Sequence, residues 1–191
     1  MNQQVQDELN VPNMLLFGAV GRNQGKTRLA VKMVEKYSKT HEVVGIKVIT
    51  IQNHGDICPR GGHGCGICRG LKECYDIREE QGDGSKDTML MKKAGAKNVY
   101  LVRAYPEGLA AAMADVVGRV PQQAVIVCES NSVRTAVKPG MFFMLDGGDV
   151  ERKPSADQVY ELADKIVSPE EDTWGEILAH NWLEENEKTS L

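Results

Sequence analysis

Met14-Leu-Leu-Phe-Gly-Ala-Val-Gly-Arg-Asn-Gln-Gly-Lys-Thr27 is the stretch on which the fold turns. A short apolar run leads into a glycine-punctuated loop ending in Gly25-Lys26-Thr27, and a helical pattern, Arg28-Leu-Ala-Val-Lys-Met-Val-Glu-Lys-Tyr37, follows at once. Strand, glycine-rich loop and helix in that order form the arrangement in which backbone N–H groups and a helix N-terminus cradle a phosphate. In such a loop Gly21, Arg22, Asn23, Gln24, Gly25, Lys26, Thr27 and Arg28 are the candidate nucleotide-binding residues. Lys26 would reach the β- and γ-phosphates, and the Thr27 hydroxyl would ligate Mg²⁺. The Gly-x-x-x-x-Gly-Lys-Thr spacing asks for glycine at position 20, where this chain has Val20; Gly18 and Gly21 flank it and can supply the turn.

Outward from this unit, apolar runs and helical patterns alternate along the chain, which predicts an α/β fold: a doubly wound, mostly parallel sheet with helices on both faces, that of a P-loop NTPase. Strands are expected at Met14–Gly18, Val43–Ile51, Asn98–Ala104, Ala124–Cys128 and Gly140–Leu145. Helices are expected at Thr27–Ser38, Lys86–Ala94, around Glu107–Gly118, at Ser155–Ile166 with Ser155 as its cap, and at Trp174–Glu185. One stretch, Gln52–Gly84, breaks the rhythm with glycines and cysteines and reads as a functional insertion in a single domain spanning residues 1–191.

A nucleotide site also needs an acidic residue at the end of another strand to hold Mg²⁺ or orient water. Ala124-Val-Ile-Val-Cys-Glu129 supplies it in Glu129, and Asp56 and Asp87 are further candidates. Ser130-Asn131-Ser132 offers hydroxyl and amide groups at the same strand end, where ligands of such folds bind, although turn chemistry accounts for them equally well. Arg134 and Lys138 could face a second anionic substrate.

Lys47 in the second strand (Gly45-Ile-Lys47-Val-Ile-Thr-Ile51), the His54–Asp56 cluster, Lys86-Asp87-Thr-Met-Leu-Met-Lys-Lys-Ala-Gly-Ala96 and a strand ending in Glu129 together resemble the molybdopterin-guanine dinucleotide biosynthesis protein B family. The resemblance implies a doubly wound P-loop fold that binds GTP, assists attachment of a nucleotide to the molybdenum cofactor, and uses Lys26, Thr27, Asp87 and Glu129. It further implies a molybdenum-cofactor or metalloenzyme maturation partner. The chain departs from the family pattern at Val48, Thr50 and Gln52, where histidines are usual, and in carrying a cysteine cluster. No Asn-Lys-x-Asp guanine motif is present, so GTP and ATP both stand.

Cys58, Cys65, Cys68 and Cys74 have the spacing C-x6-C-x2-C-x5-C on a glycine-rich stretch that also holds His63. Thiolates so placed can surround Zn²⁺ or an iron–sulfur cluster, and the spacing does not choose between them. A disulfide pair, a redox-active Cys65–Cys68 pair and unrelated free thiols are the competing accounts. Cys128 lies in an apolar strand and reads as a small core residue.

The net charge of −4 over 191 residues, with no basic stripe, argues against nucleic-acid binding. No run is apolar enough to span a bilayer, and the polar Met1–Asn13 has no hydrophobic signal region, so a cytoplasmic protein is expected. A homodimer is compatible with the pattern, since related switches complete their sites across an interface. Three functions fit: a nucleotide hydrolase assisting cofactor or metal-centre assembly, a small-molecule kinase of the same fold, and a metal or iron–sulfur carrier regulated by nucleotide.

Overall fold

The computed structural model describes residues 8–51, 71, 73–148 and 150–183. In chain order the elements are β1 (Leu9–Ala19), α1 (Lys26–Tyr37), β2 (Val43–Thr50), β3 (Tyr75–Glu79), α2 (Asp87–Lys93), β4 (Asn98–Ala104), α3 (Leu109–Gly118), β5 (Val125–Glu129), β6 (Val137–Leu145), α4 (Pro154–Asp157), β7 (Lys165–Val167) and α5 (Gly175–Ala179). The strands form one seven-stranded sheet in the order β3-β4-β2-β5-β1-β6-β7. Every neighbouring pair is parallel except β3 with β4. The expected α/β architecture is therefore present.

A parallel sheet covered on both faces must be apolar on both, so its central strands read as continuous hydrophobic runs rather than alternating ones. Met14, Leu15, Leu16 and Phe17 of β1 accordingly have no solvent exposure. Their side chains divide between two layers. Met14 and Leu16 join Ile46, Val102 and Ile126 beneath α3 and α4, through Leu109, Ala112, Met113, Val116 and Ala156. Leu15 and Phe17 join Val99, Val127 and Phe143 beneath α1 and α2, through Leu29, Ala30, Met33, Val34 and Met91. Each fully buried Leu, Phe or Met contributes about 1.5–3 kcal/mol of transfer free energy, so β1 alone is a large share of what holds the two layers together.

The chain turns one way from β1 to β2 and the other way from β5 to β6, so that β1 lies between β5 and β6. A crevice opens at the carboxyl ends of strands where a sheet reverses its winding, and that is where ligands of such sheets bind. Both the glycine-rich loop after β1 and Glu129 at the end of β5 sit there.

The structure differs from the sequence reading in three places. Tyr75–Glu79, read as part of the long insertion, forms β3, pairing antiparallel with β4 from Tyr75↔Ala104 to Glu79↔Tyr100. Ser155–Ile166 is not one helix: α4 ends at Asp157, a 3-10 turn covers Tyr160–Leu162, and Lys165–Val167 becomes β7 at the sheet edge. The cap residue of α4 is Lys153 in extended conformation, with Pro154 at the first helical position, so Ser155 does not cap it. Asp164 breaks the helical run by taking the Phe142 N–H on its carboxylate (2.7 Å) while its own N–H donates to the Phe142 carbonyl (3.0 Å). Of the expected terminal helix Trp174–Glu185, the described part is the end of a 3-10 turn, Glu171–Trp174, the short α5 and, after a break at His180 and Asn181, helical residues 182–183; its last two residues lie outside the described residues. Among the described residues no helix is long and apolar enough to cross a membrane.

Candidate phosphate-binding site

β1 ends at Ala19, and the chain then runs through Val20–Gly25 into α1. Gly25, immediately before the helix, has φ +78° in the left-handed region, which favours glycine. A methyl group there would also approach the Pro169 carbonyl and the Trp174 ring at 3.3 Å. Asn23 is the other left-handed residue, at φ +60°. The bend of the loop is thus made at positions 23 and 25. Val20 makes no part of it: it is wholly buried, donates its N–H to the Leu145 carbonyl (3.0 Å) and accepts from the Lys153 N–H (3.0 Å). That pinning explains how valine replaces glycine in the motif. Position 20 is here an anchoring residue in the core.

No side chain caps the N-terminus of α1. The first N–H groups of a helix have no partner within it and carry its partial positive charge, so this end suits an anion. Lys26 and Thr27, the first two helical residues, lie beside Glu129. Pairing of β1 with β5 sets Phe17 opposite Glu129, and pairing of β2 with β5 sets Lys47 opposite the same residue. Glu129 is 2% exposed. Its carboxylate accepts from the Thr27 hydroxyl at 3.0 Å to each oxygen, and its Oε1 lies 2.8 Å from Lys47 Nζ and 3.6 Å from Lys26 Nζ. Lys47 also pairs with Asp87 at the start of α2. Burial of the Lys26 ammonium pushes its pKa below the ordinary lysine value; Glu129 pulls it back up, Lys47 lowers it further, and Asp87 acts weakly in the same sense as Glu129.

Of the residues singled out in the sequence, Lys26, Thr27, Glu129 and Asp87 therefore meet, Asp87 through Lys47. The donor set offered by Thr27, Glu129 and Asp87 is a hydroxyl and two carboxylates, the hard oxygen ligands that Mg²⁺ takes when substrate phosphates and water complete its shell. Among the described residues no group of three or more His, Cys, Asp or Glu side chains is placed to hold a metal ion. The loop residues Gly21 and Gln24 pack against the segment after β6: a methyl at Gly21 would strike Val150, and Gln24 Oε1 lies beside Gly147. Arg28 faces outward, paired with Glu171 at 2.7 Å. A cavity of about 430 Å³ opens next to Thr27 and Asp87, lined also by Arg28, Val31, Lys32 and Glu171.

Two residues named in the sequence take a part there that no local pattern assigned to them. Asn131 is 8% exposed and grips the end of β1 with both ends of its amide, accepting from Ala19 N–H (2.8 Å) and donating to the Ala19 carbonyl (2.9 Å). Lys47 was visible only as part of a family pattern, yet a lysine inside the apolar run of β2 is itself a signal, because ammonium groups are almost never buried without a partner. Of the remaining expectations, Asp56, His63, Cys58, Cys65 and Cys68 lie outside the described residues. Cys74 is exposed, and its carbonyl accepts from Tyr105 N–H at 2.9 Å. Cys128 is buried in β5, where desolvation pushes its thiol far above the ordinary cysteine range, as a core residue requires.

No family model matches the chain, and no curated protein matches it. Among solved structures the kinase domain of VpsO is similar at 14% identity, over 87% of this chain and 86% of that one, with a TM-score of 0.39. That likeness is too loose to bear on function.

Proposed function

We propose that the chain binds a nucleoside triphosphate, ATP or GTP, together with Mg²⁺ at the β1–α1 loop, and that it hydrolyses the nucleotide. The observation that carries this reading is the meeting of the Thr27 hydroxyl with the buried Glu129 carboxylate at 3.0 Å, directly beside Lys26 at an uncapped helix N-terminus. Lys26 and the leading N–H groups of α1 bind and orient the phosphoryl oxygens. Mg²⁺, held through Thr27 with Glu129 or Asp87, supplies neutralisation of the phosphate charge. Glu129, fixed in place by Thr27, Lys47 and Lys26, would orient the attacking water. Catalysis of phosphoryl transfer is mostly positioning and electrostatics, and this cluster offers both.

The service of that activity in assembling the molybdenum cofactor or another metal centre rests on the resemblance of the Lys47, Asp87–Ala96 and Glu129 segments, and the cysteines are proposed to hold zinc or an iron–sulfur cluster for the same purpose. In support, β2 ends and β3 begins at the same carboxyl edge of the sheet, since Thr50 and Tyr75 both pair with Ala104 of β4. The cysteine-bearing segment between them is thereby tied at both ends to the edge that carries the phosphate loop. A second reading, a small-molecule kinase, is favoured by the cavity beside Thr27 and Asp87, which has the volume of a modest acceptor.

Titration with fluorescent ATP and GTP analogues in Mg²⁺ tests the proposal, with phosphate release followed on the same preparation and its zinc, iron and sulfide measured. Saturable binding is expected, weakened about ten- to hundredfold by Lys26→Ala, as loss of a charge-assisted hydrogen bond implies. Phosphate release without an acceptor supports hydrolysis, and turnover only with an added acceptor supports the kinase. Absence of saturable binding for both nucleotides would sink either reading.

A further inference from the structure

Lys47 is the one member of the cluster to which the nucleotide reading gives no task. It reaches the site from β2, in a row that crosses three parallel strands as Lys47, Glu129 and Phe17. Its side chain is 14% exposed, and its ammonium bridges Glu129 and Asp87, touching the former at 2.8 Å. Those two carboxylates, with the Thr27 hydroxyl on Glu129, are the same oxygens that make up the hard-cation donor set. The ammonium thus lies between the groups that a divalent ion would use.

We infer that Lys47 is an internal cation that holds the divalent-metal position in the nucleotide-free protein, making metal binding conditional on nucleotide. This rests on the proposed nucleotide site. The charge balance gives the reason. Lys26 and Lys47 together neutralise Glu129 and Asp87, so a lone Mg²⁺ entering the cluster meets two ammonium groups and two carboxylates already satisfied. A triphosphate brings its own negative charge to the end of α1 and offers both lysines a new partner. Lys47 then leaves the carboxylates for the phosphates, and the donor oxygens become available. The same exchange discourages the site from filling with metal alone and locking Glu129 before substrate arrives.

The test uses the nucleotide-free full chain and Mn²⁺, whose spin-resonance signal distinguishes free from bound ion. The wild type and Lys47→Arg, which retains the cation, are expected to bind Mn²⁺ weakly and alike. Lys47→Gln is expected to bind it about tenfold tighter or more, a modest share of the interaction between charges at this separation. Lys47→Met, which keeps the length and apolar stem, gives the same comparison should the amide fail to fold in β2, and thermal melting establishes which variants are folded. Mn²⁺ binding unchanged in the folded neutral variants, or already as tight in the wild type, overturns the inference. Failure of the nucleotide reading is separate: it shows as absent binding of the fluorescent analogues, whatever the Mn²⁺ titrations give.

Discussion

Asn131 grips the end of β1, the point from which the proposed phosphate-binding loop departs. Its amide replaces the strand partners that Ala19 would otherwise need, satisfying both the N–H and the carbonyl where β1 ends, and its Oδ1 sits where a methyl at Gly18 would come within 3.0 Å. Gly18 and Asn131 therefore fit as a pair, and the missing Cβ of the first makes room for the second. Removing the amide leaves two buried backbone groups without partners, a loss of about 1–3 kcal/mol. Asn131→Ala is expected to lower the denaturation midpoint accordingly and to weaken nucleotide binding as well, because the loop hangs from Ala19. Urea unfolding and a nucleotide titration on the same variant check this; loss of stability with affinity intact would mean that the loop holds its shape without the clamp. In the sequence, Ser130-Asn131-Ser132 offered only polar groups at a strand end. A partner lying 112 positions away is set by strand order, which no local pattern contains.

The elements legible in the sequence were those whose local pattern and tertiary setting agree. β1 from Met14, β2 apart from Lys47, and β5 up to Glu129 carry apolar runs because both faces are covered, and α1 carries its buried residues at helical spacing. The two edge strands were not legible. β7 has three residues, and the stretch before it reads as a continuation of α4 until Asp164 ties the chain to Phe142. β3 does alternate, with Tyr75 and Ile77 packed on the core layer beneath α3, but it lies in a glycine- and cysteine-rich setting that masks the period. An ion pair adds to the β3–β4 ladder and to this packing. Arg103 of β4 is 8% exposed and donates from two nitrogens to both oxygens of Asp76, its opposite in the register, with Nε at 2.8 Å from Oδ1. Hydrogen bonding from Arg103, aided by Arg78, holds the Asp76 carboxyl below its ordinary value. A depressed carboxylate contributes stability that is complete above its unfolded value, about pH 4, and is lost as the pH falls through the lower folded value. Unfolding free energy should therefore decline on acidification below about pH 4, and more steeply in the wild type than in Asp76→Asn. Parallel acid slopes in the two proteins, measured by urea titration across that range, would remove Asp76 from the account.

At the scale of the molecule, the chain after β7 returns across the α1 face and closes the back of the phosphate loop. Trp174 has no exposure, donates its indole N–H to the Ser168 carbonyl at 2.8 Å, and stands against Gly25, with Pro169 beside it. Trp182, further along the chain, packs edge-on against Phe143 at 5.2 Å, and the Tyr37 hydroxyl accepts its backbone N–H. The two tryptophans, the only ones in the chain, thus report on different places. Proximity of Trp174 to Gly25 is not legible in any local pattern, because it arises only when the sheet order places β7 beyond β6 and β6 beside β1. On the proposed reading, nucleotide arriving at Gly25 and Lys26 would be felt at Trp174, because a close-packed wall has little slack to absorb a shift of the loop. Intrinsic fluorescence is expected to change on nucleotide addition, to do so equally in Trp182→Phe, and to lose the response in Trp174→Phe. Trp174→Ala should lower stability by about 3–5 kcal/mol, as expected for emptying a buried indole site, so phenylalanine is the variant in which the signal is read. A response that survives in Trp174→Phe and vanishes in Trp182→Phe would show that nucleotide acts on the far end of this segment, and would detach the C-terminal wall from the phosphate loop.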